Sequence, residues 1–193
     1  MARTLANKAI CRTDVARWAN YEFPTDWALR SKVMAQFIPS GSRVVEFGAG
    51  TCALEQYLPP GCVYIPTDIV ARRPGMRIVD LNQRPLVDLR ELHPTVPVLA
   101  GVFEYLNDVP YVVCWLAKHF DICIASYEAA SSAPDIRERK QRVGMGWINE
   151  YSENEFVAVF GDAGWRLVTQ TPFPGDPPGV VFVFEKSHRN SSA

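Results

Sequence analysis

The apolar positions of the chain fall into short, β-branched runs separated by polar, glycine- and proline-bearing stretches. Arg43-Val44-Val45-Glu46-Phe47, Cys62-Val63-Tyr64-Ile65, Arg77-Ile78-Val79, Val96-Pro97-Val98-Leu99-Ala100 and Asp121-Ile122-Cys123-Ile124-Ala125 follow one another, and Leu167-Val168-Thr169 and Val180-Val181-Phe182-Val183-Phe184 close the series. The runs are nearly continuous rather than alternating. A strand of that kind is covered on both faces, which is the signature of a mostly parallel sheet between helices. The last two runs differ. Pro172-Phe173-Pro174-Gly175-Asp176-Pro177-Pro178-Gly179 joins them and admits no helix. A short helix-free connection makes antiparallel neighbours, so the sheet is predicted to end in an antiparallel hairpin.

Helical periodicity occupies the intervals. Asp108 to His119 has Asp108 as N-cap and an apolar face at Val112, Trp115 and Leu116. Ser152 to Ala163 opens on a capping box, Ser152 with Glu155, and stops at Gly164. Helices are also predicted over Thr51 to Tyr57, after a glycine turn, and over Pro85 to Leu92, with proline at the first helical position. Asp14 to Phe37 holds one or two helices interrupted by Pro24. The chain thus reads as one α/β domain over 1–193: an N-terminal helical cap (1–41), a core (42–127), a candidate lid (128–151) and a C-terminal helix with hairpin (152–186).

Composition narrows the classes. With 20 Lys and Arg against 21 Asp and Glu, the net charge is -1. Such a balance gives no field to steer nucleic acid or an anionic membrane. The five cysteines (Cys11, Cys52, Cys62, Cys114, Cys123) lack C-x-x-C spacing and mostly sit near apolar runs. They are expected to be reduced and largely buried in a cytoplasmic protein, with no zinc site. The N-terminus lacks an apolar stretch of signal-peptide length, and no run reaches the roughly 20 residues of a membrane span.

The first strand leads into Glu46-Phe47-Gly48-Ala49-Gly50-Thr51-Cys52. Gly48 lets the chain turn tightly and Gly50 lets a ligand lie on bare backbone, with the amides of the next helix as donors. The second strand ends at Asp68, eighteen residues after Gly50. A carboxylate there suits a ribose diol. The third ends in Val79-Asp80-Leu81-Asn82, where a carboxylate suits an exocyclic purine amine and Leu81 its ring. A nicotinamide site is the competing reading, since Ala53 is permitted at the third glycine position; the helix-free C-terminal hairpin argues against it.

Residues 43–51 resemble motif I of the class I S-adenosylmethionine-dependent methyltransferases, of the small single-domain type 11/12-like kind. Asp68 is similar to their second-strand acid and Asp80-Leu81 to their third motif, while residues 101–108 and Gly164-Trp165-Arg166-Leu167 resemble later segments. The resemblance implies a Rossmann-like, doubly wound, seven-stranded sheet of order 3-2-1-4-5-7-6 with strand seven antiparallel. It implies S-adenosyl-L-methionine as cofactor, held by Glu46, Phe47, Gly48, Ala49, Gly50, Asp68, Ile69, Asp80, Leu81, Gly101 and Val102. Two departures stand out: Cys52 replaces a glycine, and Asp68 to Met76 is too short for a helix between strands two and three. Either that helix is lost, or the ribose and adenine positions shift by a few residues.

Placed just beyond the fourth strand, Glu104 and Tyr105 are the candidates for acceptor contact or proton removal. His93, His119 and His188 offer no evident base, so either proton removal is weakly assisted or the acceptor needs little help, as an amine does; both N- and O-methylation stay open. Segments outside the core supply candidate substrate contacts: Tyr21, Trp27 and Arg30 before it, Tyr127 at the end of the fifth strand, and Trp147 in a glycine-flanked segment whose basic run also fits a solvated helix face. The expected partner is a small-molecule methyl acceptor, with no nucleic acid and no membrane, in a monomer or homodimer. A methyltransferase-fold protein that binds cofactor without turnover is the alternative.

Overall fold

The computed structural model describes residues 4, 6–7, 10, 12–25, 27–174 and 179–187. Its elements are α1 (Val15–Ala19), α2 (Trp27–Ala35), β1 (Arg43–Phe47), β2 (Val63–Asp68), β3 (Arg77–Ile78), β4 (Val96–Ala100), α3 (Val109–His119), β5 (Ile122–Tyr127), α4 (Ile136–Met145), α5 (Glu153–Asp162), β6 (Trp165–Phe173) and β7 (Gly179–Lys186). All seven strands form one sheet, in the order β3-β2-β1-β4-β5-β7-β6. The pairs among β1 to β5 are all parallel, while β7 is antiparallel to both β5 and β6. This is the order and the terminal hairpin expected from the sequence; the hairpin tip, 175–178, lies outside the described residues.

Two apolar layers hold the sheet. Because side chains alternate along a strand, Val45 and Phe47 of β1 join one cluster with Val112, Val113 and Leu116 of α3 and Phe156 and Phe160 of α5. Phe160 stacks on Phe184 at 3.8 Å between ring centroids, and Tyr127 on Phe156 at 4.5 Å. Val44 joins the other cluster, with Val98, Ala100 and Ile124 under Met34 and Ala35 of α2. Glu46 shares the pleat of Val44 and therefore faces α2. Every residue of β4 is buried, as its unbroken apolar run requires.

The caps act as the sequence indicates. Asp108 accepts from the Tyr111 N–H at the start of α3, and the Ser152–Glu155 capping box opens α5. Two predicted helices are absent. Over Thr51–Tyr57 only a 3-10 turn, Glu55–Tyr57, forms. Cys52 adopts φ 60°, a left-handed conformation that turns the chain, and Pro59 stops it before an α-helix can propagate. Over Pro85–Leu92 only Arg90–Leu92 is helical, again 3-10. Asp88 takes the Arg90 N–H in a local turn (2.9 Å), a bond that competes with helix, and left-handed His93 ends the segment. No helix separates β2 from β3, which resolves the short gap in favour of a lost helix.

Residues 128–151 form a brace. Asp135 caps α4 and Gly146 ends it at φ 84°. Arg142, 4 % exposed, points inward and donates to the carbonyls of Glu128 (2.9 Å) and Asn149 (2.9 and 3.1 Å) and to the Tyr127 hydroxyl (3.2 Å). Asn149 in turn donates to the carbonyls of Phe103 and Leu106. Among the described cysteines, Cys52, Cys62, Cys114 and Cys123 are free; Cys114 is exposed and Cys62 half-buried, so only two of the four are buried as expected.

Candidate functional site

A cavity of about 410 Å³ opens at the carboxyl ends of β1, β2 and β4, where an open α/β sheet receives its ligands. The turn after β1 forms its floor. Gly48 and Gly50 have φ 68° and 52°, and a Cβ on Gly48 would stand 2.6 Å from Val102 Cγ2. Only glycine fits there, and the bare backbone faces the cavity. The predicted helix amides behind this turn are missing. The turn is instead tied to β2 by a side chain: Gly50 N–H donates to Asp68 Oδ2 at 2.8 Å.

Asp68 also accepts from the Val70 N–H (3.2 Å), with Arg72 Nη1 3.9 Å from Oδ1. A carboxylate offers about four lone-pair sites, so capacity is left for a diol. Asp80 lines the cavity with Ile69, Val79 and Leu81, although the preceding helix is gone. Its Oδ1 accepts from Thr13 Oγ1 and from the Asn82 N–H, both at 2.9 Å. Glu46, Phe47, Ala49, Gly101 and Val102 line the cavity as well.

Glu46 is 2 % exposed and accepts a short hydrogen bond from the Tyr64 hydroxyl. Burial pushes its pKa up to about 8, against the lowering effects of Tyr64 and of the Arg30 charge. It is therefore mostly a neutral acid at pH 7. Arg30 lines the same wall, with its Cζ 5.0 Å from the Trp27 ring centroid.

The roof is the N-terminal segment. Trp18, Phe23 and Trp27 line the cavity together with Tyr105, and Trp18 meets Tyr105 edge-on at 4.8 Å. Arg72 Nη2 donates to the Trp18 carbonyl (2.7 Å) and Arg17 Nη2 to that of Met145 (2.8 Å), tying the segment down. Tyr21 stands behind this wall, stacked on Trp27 at 5.7 Å, outside the lining.

The other sequence candidates lie elsewhere. Glu104 is fully buried behind the cavity wall: Oε1 accepts from the Glu128 N–H (2.9 Å) and Oε2 has no hydrogen-bond donor among the described residues. Burial, then the charge of Glu128, holds its pKa well above the carboxylate range, and its side chain does not line the cavity. Tyr105 does line the cavity, with its hydroxyl accepting from Trp147 Nε1 at 3.0 Å; burial keeps it a phenol rather than a phenolate. Trp147 is buried behind Tyr105 and Tyr127 is buried in the core, and neither lines the cavity. The candidate lid over 128–151 contributes no lining residue; the cover comes from the other end of the chain. Thr13, Ser31 and Asn82 line the cavity without having been marked by the sequence, since isolated small polar residues carry no periodic signal. The aromatic density of Trp18 and Phe23 was a signal for a cover.

Among the described residues no cluster of metal-ligand type occurs, and no helix is long and apolar enough to cross a membrane. No protein-family model matches the sequence, and no curated protein matches it. Solved structures do. The Burkholderia thailandensis 1,6-didemethyltoxoflavin-N1-methyltransferase, solved with S-adenosylhomocysteine, aligns at TM-score 0.64 and 14 % identity over 96 % of this chain and 88 % of its own. A chain from the complex of the Haloferax volcanii Trm112 methyltransferase activator aligns at 0.67 and 13 %, over 90 % and 97 %. The mitomycin 7-O-methyltransferase MmcR aligns at 0.58 and 17 % over 84 % of this chain but only 54 % of its own. The chain has the class I methyltransferase fold.

Proposed function

We propose that the chain transfers the methyl group of S-adenosyl-L-methionine to a small-molecule acceptor. The observation that carries this reading is the convergence of the Gly48–Gly50 turn, Asp68 and Asp80-Leu81 on one cavity under an aromatic roof. Asp68 takes the ribose diol, Asp80 the adenine amine with Leu81 and Ile69 on the ring, and Glu46 with the glycine turn the amino-acid end. Gly101 and Val102 flank the reactive end, and Tyr105, Trp27 and Arg30 face the acceptor. The bound cofactor supplies a methyl group already activated on a sulfonium. What remains for the protein is alignment, which contributes about 7–11 kcal/mol to such reactions, and exclusion of water by Trp18, Phe23 and Trp27. Neither His93 nor His119 lines the cavity and Glu104 is sealed from it, so an acceptor that needs no strong base, such as an amine, fits best.

S-adenosylhomocysteine is expected to raise the melting temperature while NAD does not; the reverse result would return the nicotinamide reading. Asp68→Ala removes a charged acceptor and is expected to weaken S-adenosylhomocysteine binding by about 1.5–3 kcal/mol in calorimetry. Unchanged affinity would place the ribose elsewhere. The sealed Glu104 also favours a second reading, cofactor binding without turnover. Incubation with labelled donor and extracts of its own cell separates the two: donor bound but no labelled product supports the second.

A further inference from the structure

Two buried arginines in this fold are treated in opposite ways. Arg142 has all three kinds of its nitrogen bonded to protein acceptors. Arg30 is buried almost as deeply, 7 % exposed, yet none of its five N–H groups makes a hydrogen bond to any described residue, and Nε is sealed without a partner. Its ion-pair partner, Glu128 Oε1, stands 3.5 Å from Nη1. Leaving a sealed donor such as Nε bare is costly. The guanidinium is nevertheless held in place. It lies over Trp27, with Phe173 at 5.8 Å, and Nη1 presses on Gly101 so closely that a Cβ there would be 2.4 Å away. Gly101 thus makes room for the charge beside the cavity that Arg30 lines.

We infer that Arg30 is the carboxylate-binding group of the cavity, on the β4–β5 side, away from Asp68 and Asp80. A planar fork of N–H donors matches a planar pair of oxygens. The neighbouring Glu128 carboxylate selects a singly charged, flat carboxylate over a phosphate dianion, which it would repel more strongly. The same chemistry has two sources: the amino-acid end of the donor, which rests on the methyltransferase reading, or an acid group on the acceptor.

Calorimetry with wild type, Arg30→Gln and Arg30→Lys distinguishes them. The first probe pair is S-adenosylhomocysteine and its analogue lacking the carboxylate. If the donor fills the subsite, wild type prefers S-adenosylhomocysteine by about tenfold or more, Arg30→Gln erases the preference and Arg30→Lys keeps part of it. If the acceptor fills it, that preference is insensitive to Arg30. Millimolar benzoate then raises the melting temperature of wild type, free and S-adenosylhomocysteine-loaded, more than benzyl alcohol does, and fails to do so for Arg30→Gln. Loss of neither discrimination in Arg30→Gln overturns the inference. Should S-adenosylhomocysteine not bind wild type at all, the methyltransferase reading falls and benzoate on the free protein decides for Arg30 alone. Should Arg30→Gln not fold, Arg30→Lys, which keeps the charge but loses the fork, decides by the same comparisons.

Discussion

Arg142→Ala is expected to destabilise the protein by on the order of 3 kcal/mol. The variant leaves the partly buried carbonyls of Glu128 and Asn149 without their donor and opens a gap beside the Trp147 ring, whose centroid lies 4.9 Å from Arg142 Cζ. For a chain of this size each kcal/mol moves the melting temperature by about 2–4 °C, so a fall on the order of 10 °C is expected in a thermal scan. Arg139→Ala is the control: Arg139 pairs with Glu150 at 3.2 Å with both side chains well exposed, and such pairs contribute about 0–1 kcal/mol. Equal effects of the two substitutions would show that α4 is a surface appendage. The consequence reaches the cavity, because residues 147–149 hold the β4 loop: Ile148 N–H donates to the Glu104 carbonyl, Asn149 to those of Phe103 and Leu106, and Trp147 to the Tyr105 hydroxyl. In conditions where Arg142→Ala remains folded, ligands that contact Tyr105 are expected to bind more weakly than in wild type.

That brace also shows what a sequence discloses and what it withholds. The strands were legible because doubly covered strands are continuous apolar runs, and β1, β2, β4 and β5 lie where Val44-Val45, Val63, Val96-Val98 and Ile122-Ile124 put them. The caps at Asp108 and Ser152 were legible because a cap is a local bond within three residues. Gly48, Gly50, Asp68 and Asp80 meet around one cavity because strand ends in a parallel sheet are brought to one edge by topology alone. Failures came where one residue's conformation overrode its neighbours' propensity, as Cys52 does over Thr51–Tyr57, or where direction rather than position mattered. Glu104 and Tyr105 are adjacent in one 3-10 turn, yet one turns into the protein under Glu128 and the other into the cavity. The basic run at 137–142 hid one inward residue, Arg142, among solvated ones, and its acceptors at 127, 128 and 149 lie too far along the chain for any spacing rule to anticipate.

Ligand affinity and protein stability are both expected to depend on pH through Glu46, in opposite directions. Burial raises this carboxyl from 4.5 to about 8, with Tyr64 and Arg30 opposing the rise and Asp68 adding to it. The folded protein therefore keeps a proton that the unfolded chain has released. The stability linked to that proton is fully present below pH 4.5, declines as pH rises and is lost once pH passes about 8. Glu46→Gln removes this slope, which pH-resolved thermal unfolding reads directly. An ammonium group lodged at Glu46 requires the carboxylate, so binding a ligand with an α-amino end expels the proton wherever the free protein holds it. The affinity of S-adenosylhomocysteine is then expected to climb by up to about tenfold per pH unit between roughly pH 6 and 8 and to level off above. Calorimetry in buffers of different ionisation enthalpy should show close to one proton released per ligand near pH 6.5, falling towards none near pH 9. Glu46→Gln is expected to bind with a flat profile and no proton release. A wild-type profile as flat as that of Glu46→Gln would mean that the amino group of the ligand sits away from β1, and that the carboxyl stays neutral in the complex as a hydrogen-bond partner of Tyr64 alone.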